Sequence, residues 1–103
     1  MPAYVISDVE PLDRELVARY RSLAEASIAK YGGRYVVRGG SIDAVEGGWD
    51  PKHVVIVEFP SMERAREWYA SPEYAEALEV RRHALKRRLI FVDGVPGNGG
   101  PGR

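Results

Sequence analysis

Glu58 is the residue of this chain whose type and place point most directly to chemistry. It is a carboxylate in an otherwise apolar run, Val54-Val55-Ile56-Val57-Glu58-Phe59, and two-residue alternation puts it on one face of a strand with Val54 and Ile56. A carboxylate so placed is partly desolvated, so it needs a cation partner or keeps its proton. Two arginines can serve: Arg38, at the turn Arg38-Gly39-Gly40, and Arg81, on the apolar stripe of the last helix. A pocket between sheet and helices that holds Glu58, one of these arginines, Trp68 and Tyr74 would take a small aromatic or carboxylate-bearing molecule. There Glu58 would move a proton while Arg38 or Arg81 stabilised developing negative charge, without a cofactor. The competing reading is a structural ion pair that closes the end of the sheet.

Other residue types that could do chemistry have plainer explanations. Ser71 stands in Ser71-Pro72-Glu73, where serine caps a helix, proline suits the first helical position and glutamate the positive end of the dipole. No glycine pattern of a nucleophile elbow surrounds it. Its hydroxyl could still donate to a ligand if that helix N-terminus faces a cavity. His53 and His83 are the only histidines, neither lies at metal-ligand spacing, and without cysteine a zinc site is excluded in practice, so no metal is expected. Gly32, Gly39 and Gly47 lack the lysine and hydroxyl residue of a phosphate loop and read as turns and a bulge. Arg81, Arg82, Lys86, Arg87 and Arg88 form a local basic cluster, read as a solvated helix end against the dipole's negative terminus.

The whole-chain balance agrees. Fifteen basic and fifteen acidic side chains leave no global field for nucleic acid or an anionic membrane surface, so neither partner is expected. At 103 residues the chain is long enough for one domain with a modest core. Met1 to Pro11 shows no basic stretch leading into a long apolar one, and no apolar run approaches the roughly 20 residues that cross a bilayer. With no cysteine in the chain, the expectation is a cytoplasmic protein.

The elements that must position these groups follow from periodicity and punctuation. Ala3 to Val9 is a short β-branched strand. From Asp13, a natural N-cap, Leu16, Tyr20, Leu23, Ser27 and Tyr31 recur at helical spacing until Gly32. Arg34 to Arg38 is a second strand, expected to continue past a bulge at Gly39-Gly40 into Ser41 to Val45. His53 to Phe59 is a third. Ser61 then caps a short helix with Ala65, Trp68 and Tyr69, and Ser71 begins another, whose stripe is Tyr74, Ala77, Leu78, Arg81 and Leu85. Leu89 to Asp93 is the last strand. The domain is expected over residues 1–95, followed by a disordered glycine and proline tail over 96–103, with mobility beginning as early as Gly94.

The resulting order β-α-β-β-α-β places both helical segments on one side of a four-stranded antiparallel sheet, because β-α-β crossovers are right-handed. If the other side met water, each strand should alternate apolar with polar residues. Val54-Val55-Ile56-Val57 and Leu89-Ile90-Phe91-Val92 are apolar on both faces instead, which predicts a homodimer packed sheet against sheet.

Several motifs carry a family resemblance. Tyr31-Gly32-Gly33-Arg34-Tyr35, Arg38-Gly39-Gly40, Val54 to Ser61, Trp68 to Tyr74 and the trailing Arg81-Arg82 together resemble the DUF1330 family, within the dimeric α+β barrel (ferredoxin-like) superfamily. The resemblance covers about residues 3–95 and implies the α+β fold and the dimer that the strands require. It implies no reaction, because the family's function is undefined. Related barrels include cofactor-independent monooxygenases, lactone isomerases and haem-dependent enzymes, a likeness of fold alone. Two functional classes therefore stand: a binder of a small organic molecule, extending to a cofactor-independent enzyme, and a non-enzymatic dimeric interaction module.

Overall fold

The structure, a computed structural model, describes residues 1–96. The expected tail over 96–103 lies outside them apart from Pro96. The elements are β1 (Ala3–Pro11), α1 (Arg14–Lys30), β2 (Arg34–Arg38), β3 (Val54–Phe59), α2 (Met62–Tyr69), α3 (Pro72–Ala84) and β4 (Leu85–Asp93). The strands form one antiparallel sheet in the order β2-β3-β1-β4, the ferredoxin-like α+β arrangement.

Each helix starts where a short polar side chain meets its orphan amides. Asp13 Oδ1 accepts from Leu16 N at 3.0 Å, Ser61 Oγ from Arg64 N at 3.1 Å, and Ser71 Oγ from Tyr74 N at 3.1 Å. α1 stops at Gly32, whose φ of 81° lies in the left-handed region. The next glycine is there for space: a Cβ on Gly33 would sit 2.7 Å from the Phe59 ring and 2.8 Å from Ile28 Cγ2. That close approach seats the entry of β2 against the core.

Three sequence expectations need correction. β2 does not continue into Ser41 to Val45; residues 40–53 are a loop. β2 is an edge strand whose sole neighbour, β3, begins at Val54, and Gly39, with φ 74°, turns the chain away where that partner ends. The irregularity lies earlier: Tyr35 pairs with Val57 and Val37 with Ile56, leaving Val36 as the extra residue of a bulge. β4 starts at Leu85, four residues before the expected Leu89, because β1 runs on to Pro11 and pairs with it from Ala3↔Asp93 to Pro11↔Leu85. Nor is Gly94 loose. Its N–H donates to Pro2 O at 2.7 Å, and a Cβ there would meet the Tyr4 ring at 2.8 Å.

The two faces of the sheet differ. The helix-covered face carries Val5, Val57 and Phe59, which pack with Ala24, Ile28, Ala65, Trp68, Tyr74 and Ala77 as one core. Filling such sites contributes about 1.5–3 kcal/mol per large apolar side chain. Trp68 centres it, 5.2 Å from the Phe59 ring and 4.1 Å from that of Tyr74, and its indole N–H donates to Ser27 Oγ at 3.0 Å. The opposite face carries no helix. Across it run Arg34, Glu58, Tyr4 and Val92 in one row, and Val37, Ile56, Ile6 and Ile90 in the next.

Candidate functional site

The sheet's covered face and α1 enclose a cavity of about 400 Å³. Strand alternation decides what enters it. From β1 come Val5, Ser7 and Val9, from β3 Val55 and Val57, and from β4 Leu85, Arg87 and Leu89. α1 supplies Val17, Tyr20, Arg21 and Ile28, and α2 supplies Trp68. β2 supplies Tyr35 and Arg38, and Gly39 and His53 stand where β2 and β3 meet the loop. The walls are chiefly apolar, with a few polar groups among them, the usual make-up of a small-molecule site.

Arg38 reaches the cavity because of the bulge. Three positions from Tyr35 in a regular strand would place it on the opposite face; the extra residue Val36 restores the parity, so that Arg38 pairs with Val55 and shares the face of Tyr35. Its guanidinium lies 4.2 Å from the Tyr35 ring centroid and binds Glu25 Oε1 at 3.1 Å. Burial, then the proximity of Tyr20, raises the Tyr35 hydroxyl above the ordinary phenol range, so it stays protonated.

Arg87 is the group that sequence reasoning missed. Placed in a helix end, it read as one member of a solvated basic cluster. On β4 it alternates with Leu85, Leu89 and Phe91 and opposes Val9, which turns it inward. One Nη donates to Tyr20 Oη and the other to Tyr74 Oη, each at 2.8 Å, and the two hydroxyls are 2.5 Å apart. Burial, reinforced by Tyr20, drives the Tyr74 hydroxyl far above the ordinary phenol range despite the nearby Arg87. The available signal was the alternation Leu85, Arg87, Leu89, Phe91, a charge at an inward position of an apolar strand.

The expected site residues divide. Arg38 and Trp68 line the cavity; Tyr74 stands behind it, fully buried, and reaches the site through Arg87 and Tyr20. Ser71 is buried and committed to the helix junction, its hydroxyl donating to Trp68 O at 2.7 Å while accepting from Tyr74 N. Arg81 lies outside the cavity lining, and its buried Nε has no hydrogen-bond partner. Glu58 is on the uncovered face, where it pairs with Arg34 Nη2 at 2.6 Å, not with Arg38 or Arg81. The notion of one pocket holding Glu58, an arginine, Trp68 and Tyr74 is therefore corrected: parity along β3 sends Glu58 to one side of the sheet and the cavity residues Val55 and Val57 to the other. No cluster of three or more metal-ligating side chains forms among the described residues, and no helix among them is long and apolar enough to cross a membrane.

Solved structures share this architecture. A protein of unknown function from Rhodopseudomonas palustris is 24% identical, with 90% of this chain and 82% of that chain covered and a TM-score of 0.73. A dimeric ferredoxin-like protein of unknown function from a Jannaschia species is 8% identical, covering 91% and 100%, with a TM-score of 0.69. SnoaB, a cofactor-independent oxygenase from Streptomyces nogalater, is 12% identical, covering 90% and 92%, with a TM-score of 0.67. At these identities the likeness is one of fold. No curated protein matches the chain. The signature of DUF1330, a domain of unknown function, matches residues 2–95, nearly all of the described chain, and the protein belongs to that family.

Proposed function

We propose that this protein is a homodimer whose subunits each bind a small organic molecule in the cavity between the sheet and α1. The observation that carries the binding reading is the cavity itself: about 400 Å³ of space in a 103-residue chain, walled by valines, leucines and Trp68 and fitted with a few polar groups. A core built only for stability closes such space, because unfilled volume forfeits packing. That SnoaB is an oxygenase on the same fold agrees with small-molecule binding as a use of this fold, without carrying its site or reaction over.

The dimer reading rests on the uncovered face. Its central row, Val37-Ile56-Ile6-Ile90, is apolar across all four strands, and Ile90 is 58% exposed in the single chain. Ion pairs flank that row, Arg34 with Glu58 and Arg88 with Asp8 at 2.7 Å, giving the apolar centre and charged rim of an interface. Glu58 is thereby assigned to the subunit interface in place of acid–base chemistry. That position favours the second reading in one respect, since it leaves the protein without its expected catalytic carboxylate.

Sedimentation equilibrium tests the first half. Wild type should run as a dimer at micromolar protomer concentration, and Ile90→Glu should shift it to monomer; a monomeric, folded wild type sinks the proposal. For the second half, nuclear magnetic resonance titration with a fragment library should move signals from Val5, Val55 and Leu89. Fragments that shift only surface residues would leave the interaction-module reading in place.

A further inference from the structure

We propose that the cavity recognises a small carboxylic acid, its carboxylate docking on Arg87 while Tyr20 and Tyr74 hold that guanidinium in position. This inference rests on the cavity being a binding site and names the class of ligand it takes.

Among the described residues, no carboxylate pairs with Arg87. Its two hydrogen-bond partners are tyrosine hydroxyls, not carboxylates, and burial keeps that of Tyr74 protonated. Among the described residues it forms no ion pair, and the cavity lining contains Arg21, Arg38 and Arg87 but no aspartate or glutamate. The other inward-facing strand arginine is already provided for, since Arg38 is bound by Glu25 and stacked on Tyr35. The two also sit on opposite edge strands, three strand spacings or roughly 14 Å apart along the sheet. A guanidinium in a largely apolar, partly closed site is costly without a counter-ion. With none among the described residues, that role falls to an incoming anion.

The geometry favours a carboxylate. Beyond the N–H groups spent on the phenols, the guanidinium keeps further donors, set in a planar fork that matches two carboxylate oxygens. The phenols add one more. Tyr20 and Tyr74 have two hydroxyl protons between them, and their mutual hydrogen bond uses one. Either hydroxyl can donate within the pair; because Tyr74 is enclosed while Tyr20 faces the cavity, we assign that bond to Tyr74, which leaves the Tyr20 proton for a ligand. An acid seated there accepts from Arg87 and from Tyr20 together. Around this polar corner the walls are Val5, Val9, Val17, Val55 and Leu89, which call for a compact apolar body on the same molecule. The class is thus a monocarboxylate carrying an aromatic or branched aliphatic group.

Calorimetric titration of the full chain with phenylacetate and 3-phenylpropanoate, each beside its neutral amide, tests this. In wild type the acids should bind at least ten-fold more tightly than their amides. Arg87→Met should abolish the preference by weakening the acids at least ten-fold more than the amides, with circular dichroism reporting the fold. Should that variant not fold, Tyr20→Phe serves: it retains the charge, loses one donor, and should weaken the acids by three- to ten-fold and the amides by less. Equal wild-type binding of acids and amides overturns the carboxylate inference and leaves the cavity reading intact. Failure of every probe to bind at millimolar concentration, with no shift of cavity signals for acids or amides, overturns both.

Discussion

Replacing Tyr74 by phenylalanine isolates the hydroxyl that joins Arg87 to Tyr20. The ring is fully buried and packs at 4.1 Å from Trp68, 5.6 Å from Tyr69 and 6.3 Å from Tyr20, and phenylalanine retains those contacts. What goes is a bond from the Arg87 guanidinium at 2.8 Å and one shared with Tyr20 at 2.5 Å. A hydrogen bond to a charged group contributes about 1.5–3 kcal/mol and a neutral one about 1 kcal/mol. Arg87 and Tyr20 both border the cavity, so water can take over part of the lost pairing. The net loss should be about 1–2.5 kcal/mol, between that of a surface change and the 3–5 kcal/mol of truncating a buried aromatic. Urea unfolding at fixed protomer concentration measures it, the concentration being held because the stability of the proposed dimer would depend on it. A double-mutant cycle with Arg87→Met should give a coupling of about 1 kcal/mol, since the two groups are in direct contact. Tyr74→Phe within about 0.5 kcal/mol of wild type, or strictly additive losses, would show that the triangle of hydroxyls and guanidinium does not form in solution.

Two further outcomes follow from local geometry. Glu73, at the start of α3, is held down to about 2 from its ordinary 4.5, first by the Lys30 ammonium, then by its own backbone N–H and by the Tyr31 hydroxyl at 2.9 Å. Because its folded value is depressed, its contribution is complete above 4.5 and fades as the pH falls toward 2, so the stability gap between wild type and Glu73→Gln should close across that window. A gap that stays constant through it, measured by denaturant midpoints, contradicts the assignment; high salt should narrow the gap at neutral pH, since the pair is exposed. Gly33→Ala should cost about 1–3 kcal/mol by driving a methyl into the Phe59 ring and Ile28. Unchanged thermal stability in that variant would mean the β2 entry yields more readily than the packing implies.

The helix starts were legible in the sequence because capping is a local act. Asp13, Ser61 and Ser71 satisfy amides three residues on, and nothing distant is required. The element order and the greasiness of both sheet faces were legible for a similar reason, since alternation is written in consecutive residues. From these the ferredoxin-like arrangement follows through crossover handedness.

The site was not legible, because membership in it depends on parity and pairing between distant segments. Glu58 looked inward only until the register with β1 and β2 assigned it a side, opposite Tyr4 and Arg34. Arg38 faces the cavity through one extra residue, Val36, whose bulge exists only in relation to β3. Arg87 became a strand residue, turned inward, once β1 had paired with β4 as far as Leu85, and its partners come from α1 and α3. Local propensity cannot weigh that choice: Lys86, Arg87 and Arg88 suit a helix end as well as a strand, and long-range pairing decided between them. The sequence by itself thus determined the elements, their caps and the apolar faces. Tertiary structure alone decided which charges turn inward, because a side chain's direction is inherited from the backbone's partners.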